Sequence, residues 1–435
     1  MNSVTSARLL AVPGDRNSRR NHLTNYTIIT PIDTLARSGQ QGSFIWCYGN
    51  IASRPGCFPV MVIIWVMEPV TLIASTKFGL EAVVKRELQA LGFDELHVSE
   101  GRVTFAASLD DIPRVNLWLR CADRVLLPVG EFTAVTFDEL FEQTRSLPWE
   151  QWITPDGRFP VSARTVNSTL RSERSCQSIV KKAAAERLAA AHGVATLPET
   201  GADYGIHVSI RQDRALLTLD TSGDGLHKRG YRAEAGAAPL TETLAAALVL
   251  LSYWDKDRLL IDPMCGSGTI LIEAAMIGRR MAPGLRRTFA AEQWPAVGEA
   301  RWRVARQAAE AAIDRSGELA LCGYDRDAEA IRIAKQNAAL AGVGAEIKFE
   351  QKALADLWID QEYGILISNP PYGRRMAEFQ EINALYVTLN KMMRRKQGWS
   401  VYILTADEKF PDYFKRGRPD RVRKLFNGNI RVDYY

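Results

Sequence analysis

The chain has 435 residues, 46% of them hydrophobic and 24% charged, which is room for two or three domains with a sizeable core. This balance is ordinary for a globular chain and excludes a low-complexity one. Six scattered cysteines, with no C-x-x-C pair and no histidine at metal spacing, exclude a zinc module or a disulfide framework and fit the reduced thiols of a cytoplasmic protein. The net charge of +5 says little about partners, because residues 1–66 carry six Arg, two Asp and no Lys or Glu, leaving +1 for the remainder.

Residues 1–66 show no sustained period, and their apolar run Phe58 to Val66 is too short to span a bilayer and too deep for a secretory signal. They read as a disordered leader or the product of an early start codon, with the folded protein beginning near Met67. From there Val70 to Ala74 predicts a strand, and Leu80, Val83, Val84, Leu88 and Leu91 a helix. Leu96 to Val98 and Arg102 to Ala106 make a hairpin around Glu100-Gly101. Leu109 to Leu119 suits a helix, and Val125 to Phe132 a last strand. The order βαββαβ over residues 67–132 is a small ferredoxin-like unit.

A second unit, 133–222, has a helix at Phe137 to Leu147, a strand at Arg158 to Val166, a helix at Glu173 to Ala191 and a hairpin of Ile206 to Ile210 with Ala215 to Asp220. Residues 158–187 hold seven basic side chains (Arg158, Arg164, Arg171, Arg174, Lys181, Lys182, Arg187) against Glu173 and Glu186. Such a concentration can pair with phosphates or form a plain solvated helix face. Gly223 to Arg232 is a Gly-rich basic joint, so the third unit is placed at 223–435. Its lone His227 has a structural or nucleic-acid-facing role before a catalytic one. Pro239-Leu240-Thr241-Glu242-Thr243 caps a helix over Leu244 to Leu251.

Next, Leu259-Leu260-Ile261 is a short strand running into Asp262-Pro263-Met264-Cys265-Gly266-Ser267-Gly268-Thr269, and Ile270 to Met281 has the pattern of a buried helix. Glycines let a ligand approach the backbone at a helix N-terminus, and Asp262 is placed to meet a cation. Leu271 stands where a dinucleotide fingerprint needs its third glycine. Asp325, at the end of the strand Ala320 to Tyr324, can accept both hydroxyls of a ribose. It follows Gly268 by 57 residues instead of the roughly 20 of a dehydrogenase. Cys265 has no histidine close by and reads as packing rather than as a nucleophile. Arg279, Arg280, Arg286 and Arg287 bracket Pro283-Gly284 as a basic loop, with Phe289 and Trp294 nearby for contact or packing. After Asp325 and Asp327, Ala328 to Ala341 give a core-facing helical pattern.

Ile347 and Phe349 begin another strand. Then Tyr363 to Ser368 is an apolar strand that stops at Asn369-Pro370-Pro371-Tyr372, since neither proline can donate to a ladder. Alone, this is an ordinary strand-ending turn. With the glycine loop upstream it becomes a clamp for a planar amine: the Asn369 and Pro370 carbonyls accept two N–H bonds while Tyr372 stacks on the ring. A helix at Leu385 to Met393, a strand at Ser400 to Thr405 and a hairpin around Arg423 to Asn429 close the chain.

D-P-M-C-G-S-G-T, G-Y-D-R-D and N-P-P-Y-G together resemble S-adenosylmethionine-dependent methyltransferases that modify exocyclic amines of bases. More narrowly, from Met67 onward, the chain resembles the bacterial THUMP-domain guanine-N2 methyltransferases of large-subunit rRNA. The resemblance implies a Rossmann-like class I methyltransferase with a seven-stranded sheet, preceded by α+β ferredoxin-like and THUMP domains, the latter an RNA-binding module at 133–222. It implies S-adenosylmethionine at Thr243, Asp262, Pro263, Cys265, Gly266, Ser267, Gly268, Thr269, Asp325 and Asp327, with Asp356 on the adenine amino group. Catalysis falls to Asn369, Pro370, Pro371 and Tyr372, with RNA (23S rRNA) as partner and neither metal nor membrane. A tRNA-directed THUMP methyltransferase and a non-catalytic RNA-binding assembly factor are the competing readings. A dehydrogenase fails on the missing glycine and the misplaced acid.

Overall fold

The computed structural model describes residues 43–47, 62–66, 69–232, 240–372, 376–415 and 417–435. It divides into Met1–Glu68 and Pro69–Tyr435. In the first unit β1 (Ser43–Cys47) and β2 (Val62–Val66) pair antiparallel, with Ser43 opposite Val66. The rest of the expected leader, the proposed start at Met67, the cap residue Pro239 and Gly373 lie outside the described residues.

The second unit holds two seven-stranded sheets. Its first stretch runs β3 (Val70–Thr76), α1 (Glu81–Ala90), β4 (Leu96–Ser99), β5 (Arg102–Ala107), α2 (Asp111–Trp118) and β6 (Ala122–Thr133). Helix α1 buries Val83, Val84 and Leu88, the face its spacing predicts. There follow α3 (Phe137–Ser146), opened by a capping box between Thr136 and Glu139, and β7 (Val161–Val166). Then come α4 (Glu173–His192), ended by left-handed Gly193, β8 (Ile206–Arg211) and β9 (Arg214–Asp220). All seven strands form one sheet in the order β4-β5-β3-β6-β9-β8-β7. Twelve-residue β6 pairs with β3 through its first half and with β9 along most of its length. The ferredoxin-like segment and the segment after it are therefore continuous through backbone hydrogen bonds.

The second sheet is built by α5 (Glu242–Leu251), β10 (Leu260–Asp262), α6 (Thr269–Gly278), α7 (Glu299–Ala311), β11 (Leu321–Asp325), α8 (Ala328–Ala341), β12 (Ile347–Gln351), β13 (Tyr363–Ser368), α9 (Met376–Met393), β14 (Gly398–Thr405), α10 (Phe410–Phe414), β15 (Arg423–Asn427) and β16 (Ile430–Tyr434). Its order is β12-β11-β10-β13-β14-β16-β15, with the first five strands parallel and the closing hairpin antiparallel. This is the Rossmann-like class I arrangement. Parallel strands covered by helices on both faces must be apolar throughout, and Ile365, Leu366 and Ile367 have no exposed surface. Each such side chain contributes about 1.5–3 kcal/mol on burial. The chain leaves β10 for β11 and β12 on one side and returns to β13 on the other. That reversal opens a crevice at the carboxyl ends of β10 and β13.

A buried polar bridge joins the two sheets. Glu273 on α6 and Arg229 are 3.4 Å apart and almost fully buried, and Tyr231 donates to the same carboxylate at 3.1 Å. Arg229 also donates to the Arg120 carbonyl, and the Arg120 guanidinium donates to that of Met281. Glu87 accepts the Arg120 and Cys121 amides at 2.8 and 3.1 Å. Among the described residues no helix is long and apolar enough to cross a membrane.

Candidate active site

The glycine loop connects β10 to α6, and its conformation explains its composition. Gly268 precedes the helix at φ +79°, where an added Cβ would meet the Phe349 ring at 2.9 Å and Ala334 at 3.0 Å. Gly266, at φ +52°, faces open space and leaves its backbone approachable. The loop is held from β11. Cys265 N donates to the Tyr324 carbonyl at 2.9 Å, and Gly266 N to Asp325 Oδ2 at 2.9 Å. The other oxygen of Asp325 accepts Asp327 N at 3.0 Å, so each carboxylate oxygen keeps a further lone pair for a ligand hydroxyl. Asp327 is exposed and its carboxylate caps α8 by accepting Glu329 N at 2.9 Å. Pro263 is buried, while Ser267 and Thr269 hydroxyls share a 3.2 Å bond. Burial raises the Cys265 thiol well above its ordinary value, which suits packing and not nucleophilic chemistry.

Asp262 is 2% exposed. Its Oδ1 accepts the Ser368 hydroxyl at 2.7 Å and Met264 N at 3.2 Å. Desolvation pushes this carboxyl up to about 7 despite those two bonds. Ser368 is the last residue of β13, so one hydrogen bond ties the glycine loop to the strand end that carries Asn369. Tyr372 is half-buried and donates to Asn369 Oδ1 at 2.5 Å, and burial holds its hydroxyl up at about 12. Pro370 is buried and Pro371 exposed. The ring of Tyr372 is thus anchored to the amide it was expected to work beside.

Two other expected positions reach the same end of the sheet. Thr243 lies in the first turn of α5 with no exposed surface, and its hydroxyl has no hydrogen-bond partner. Asp356 ends a short turn after β12 and is exposed. Three contributors were not singled out in the sequence. Ser368 is one. Asn337 is 1% exposed and donates to the Ser267 carbonyl at 3.3 Å, and a buried Asn within the alanine-rich face of α8 was the available signal. Arg232 pairs with Glu242 at 2.9 Å and donates to Thr269 Oγ1 at 3.3 Å.

The basic cluster of residues 158–187 separates into two groups. Arg158 pairs with Asp203 at 2.5 Å, Lys181 with Glu199 at 2.6 Å and Arg187 with Glu150 at 2.5 Å. Lys182 lies 3.9 Å from Glu186. Arg164, Arg171 and Arg174 are exposed, with no carboxylate partner among the described residues. In the basic loop after α6, Arg280 is exposed and the other three arginines are engaged. Arg279 donates to the Ser316 and Gly317 carbonyls, Arg286 to that of Leu340, and Arg287 to those of Gly225 and Asp224. These three guanidiniums satisfy backbone acceptors, Arg279 buried, Arg287 half-buried and Arg286 exposed. Phe289 stacks on Trp302 with centroids 5.0 Å apart and Trp294 on Tyr204 at 4.9 Å, so both are packing residues.

The crevice suits a cofactor with a vicinal diol and a polar tail. Asp325 keeps open lone pairs, Gly266 leaves room, and the Thr243 hydroxyl is buried without a partner. Among the described residues no group of His, Cys, Asp and Glu is arranged for a metal.

Comparison with known proteins gives three consecutive family matches: an RlmL ferredoxin-like domain at residues 71–126, a THUMP domain at 134–220 and an RMKL-like methyltransferase domain at 229–435. A putative RNA methyltransferase, YpsC of Bacillus subtilis, is 45% identical over 85% of this chain and 96% of its own. The ribosomal RNA large subunit methyltransferase K/L of Syntrophotalea carbinolica is 36% identical over 83% of this chain, which spans 52% of that longer protein. The crystal structure of SMU.472, a putative methyltransferase complexed with SAH, is 41% identical, covers 85% of this chain and 98% of its own, and superimposes with a TM-score of 0.81.

Proposed function

Since the chain belongs to the RlmKL-like family of S-adenosylmethionine-dependent methyltransferases, we propose that it methylates RNA, at N2 of a guanine in 23S rRNA, in the cytoplasm. The relative acting on large-subunit ribosomal RNA and the THUMP match support the substrate. The observation that carries the reading is the 2.7 Å bond from Ser368 to Asp262, because it fixes the glycine loop and the Asn369 turn to one another.

When bound, S-adenosylmethionine supplies a methyl group activated by a sulfonium. Asp325 would hold its ribose hydroxyls, Gly266 and Gly268 would admit it to the backbone, and Asp262 and Thr243 would serve its polar end. Asp327 supports Asp325 through its amide, and Asp356 would take the adenine amino group. The remaining task is alignment of the acceptor. A guanine amino nitrogen is a poor nucleophile because its lone pair is delocalised into the ring. The Asn369 and Pro370 carbonyls, accepting its two N–H bonds, localise that lone pair and stabilise the positive charge that develops on nitrogen. Asn369 Oδ1 has two lone pairs, so the Tyr372 hydroxyl can stay on one while the base takes the other. Pro371 keeps the turn rigid. The base must leave its stack to reach this site.

Mass spectrometry of nucleosides from purified rRNA and tRNA, with and without the gene, tests the assignment. Loss of N2-methylguanosine from 23S rRNA is expected. Loss confined to tRNA would redirect the substrate. An unchanged profile together with no heat on titrating S-adenosylmethionine would leave a non-catalytic RNA-binding protein.

A further inference from the structure

The ferredoxin-like segment sends one loop to the mouth of the crevice, where the methyl transfer gives it no task. Lys77-Phe78-Gly79-Leu80 joins β3 to α1. The loop is fixed from several sides. Glu81 accepts the Gly79 and Gly101 amides at 2.8 and 3.0 Å, and the Gly79 carbonyl accepts Arg423 Nη1 at 3.0 Å. Gly79 has φ +90°, and a Cβ there would meet the Lys424 carbonyl at 2.7 Å, so glycine lets the loop press directly on β15.

Two elements that rise past the carboxyl end of the parallel strands receive it. Thr405, the last residue of β14, pairs with Asp433, so the tip of the closing hairpin, Leu425 to Asn427 against Ile430 to Val432, extends beyond it. Helix α5 lies beside the same strands. The Tyr402 hydroxyl donates to the Ser252 carbonyl and the Tyr434 hydroxyl to that of Leu248, each at 3.0 Å. Followed back toward its start, α5 therefore climbs past the end of β14 to its cap residue Thr241. The loop touches both elements. Lys77 Nζ donates to Thr241 Oγ1 at 3.2 Å, two residues before the unpartnered Thr243 hydroxyl. The Phe78 ring meets Phe426 edge-on, with centroids 6.2 Å apart. Next to Phe426, the Asn427 side chain lies within hydrogen-bonding reach of the Tyr372 hydroxyl, which is itself bonded to Asn369.

A ring kept only for packing would be covered. Phe78 is 53% exposed, and the loop is already held by Glu81, Arg423 and the close contact at Gly79. Lys77 is half-buried, has no carboxylate partner among the described residues, and spends one of its three donors on Thr241. An open π face beside a cation with donors to spare, at the rim of a site for an unstacked base, matches the adjoining nucleotide of the same strand. We propose that Phe78, backed by Phe426, stacks on the base next to the target and that Lys77 takes its phosphate. The ferredoxin-like segment thereby positions the acceptor strand over the Asn369 turn. The proposal rests on RNA being the substrate.

The test uses the full chain, RNA from cells lacking the gene as methyl acceptor, and a short labelled single-stranded RNA for affinity. Phe78→Leu keeps an apolar side chain and removes the π face. It should raise KM for the acceptor RNA about tenfold with kcat little changed, and Phe78→Trp should restore KM. Lys77→Gln should make the plot of log K against log salt shallower by about 0.7, one phosphate contact. S-adenosylmethionine titration of all three variants should match the wild type. An unchanged KM in Phe78→Leu would reduce the ring to packing and overturn the platform. Weaker cofactor binding by Lys77→Gln with an unchanged salt slope would give the lysine to the cofactor and overturn the phosphate contact. A wild-type chain that transfers no methyl group to any RNA fraction would instead overturn the proposed substrate, and the platform with it.

Discussion

The two seven-stranded sheets place function in different ways. In the parallel sheet β13 is buried at five of its six positions, and only Tyr363, at the end away from Asn369, reaches solvent. Function moves to the strand ends, where the backbone turns and single residues such as Gly268, Asp262 and Asn369 have several duties. In the other, mostly antiparallel sheet, edge strand β7 alternates half-buried with exposed positions, and Arg164 is at one of the exposed ones. There a surface is assembled from many weak contributors. The parallel sheet should therefore fail abruptly on single substitutions and the other by degrees.

The sharpest break is Asn369→Ala. Methyl transfer should fall about 10²–10³-fold, the cost of removing one preorganised partner of developing charge. Cofactor binding should persist, as read by labelled methyl transfer beside calorimetric titration. Near-normal turnover would remove Asn369 from the reaction and the contrast with it.

Asp262→Asn tests the same end through stability. The carboxyl binds its proton more tightly folded than unfolded, with a value near 7 against an ordinary 3.8. The folded state is thus favoured most below about pH 4, and that advantage is lost as pH rises from there through about 7. At pH 8 the penalty is on the order of 4 kcal/mol at most. Asn keeps an acceptor for Ser368 and carries no charge. The variant without ligand should melt higher than wild type at pH 8, match it near pH 4, and bind S-adenosylmethionine more weakly. A melting difference that ignores pH would show that burial of this charge is not the cause.

The smallest effects belong to the antiparallel sheet. Changing Arg164, Arg171 and Arg174 together to Gln should make the salt dependence of RNA binding shallower by about 2, and each single change should be slight. Arg187→Gln, which removes a cation already paired with Glu150, should leave that slope unchanged. Equal effects from Arg187 and the triple variant would erase the distinction between paired and free cations.

The sequence carried the strand ends well. An apolar run stopped by two prolines and a strand running into Gly-x-Gly are local signals, and both turns face one crevice because parallel topology leaves little alternative. The βαββαβ order was also legible from spacing. Partners distant in the chain were not. Ser368 reads as one more residue of an apolar strand until Asp262, 106 positions away, is brought beside it. The seven basic residues of 158–187 look alike until Asp203, Glu199 and Glu150 arrive from other segments. Nothing local in β6 announces that it pairs on both edges. Helices α7 and α10 lie in stretches for which the sequence pattern predicted no element.

The buried Arg229–Glu273 contact has a consequence for how such proteins can be recombined. Glu273 sits on the helix that the glycine loop opens, and Arg229 grips the backbone at Arg120 in the preceding sheet. Grafting the front half of a relative onto this half would keep the Arg229–Glu273 pair together, and the seam would then depend on the new half bringing a main-chain carbonyl to the place that Arg120 fills for Arg229.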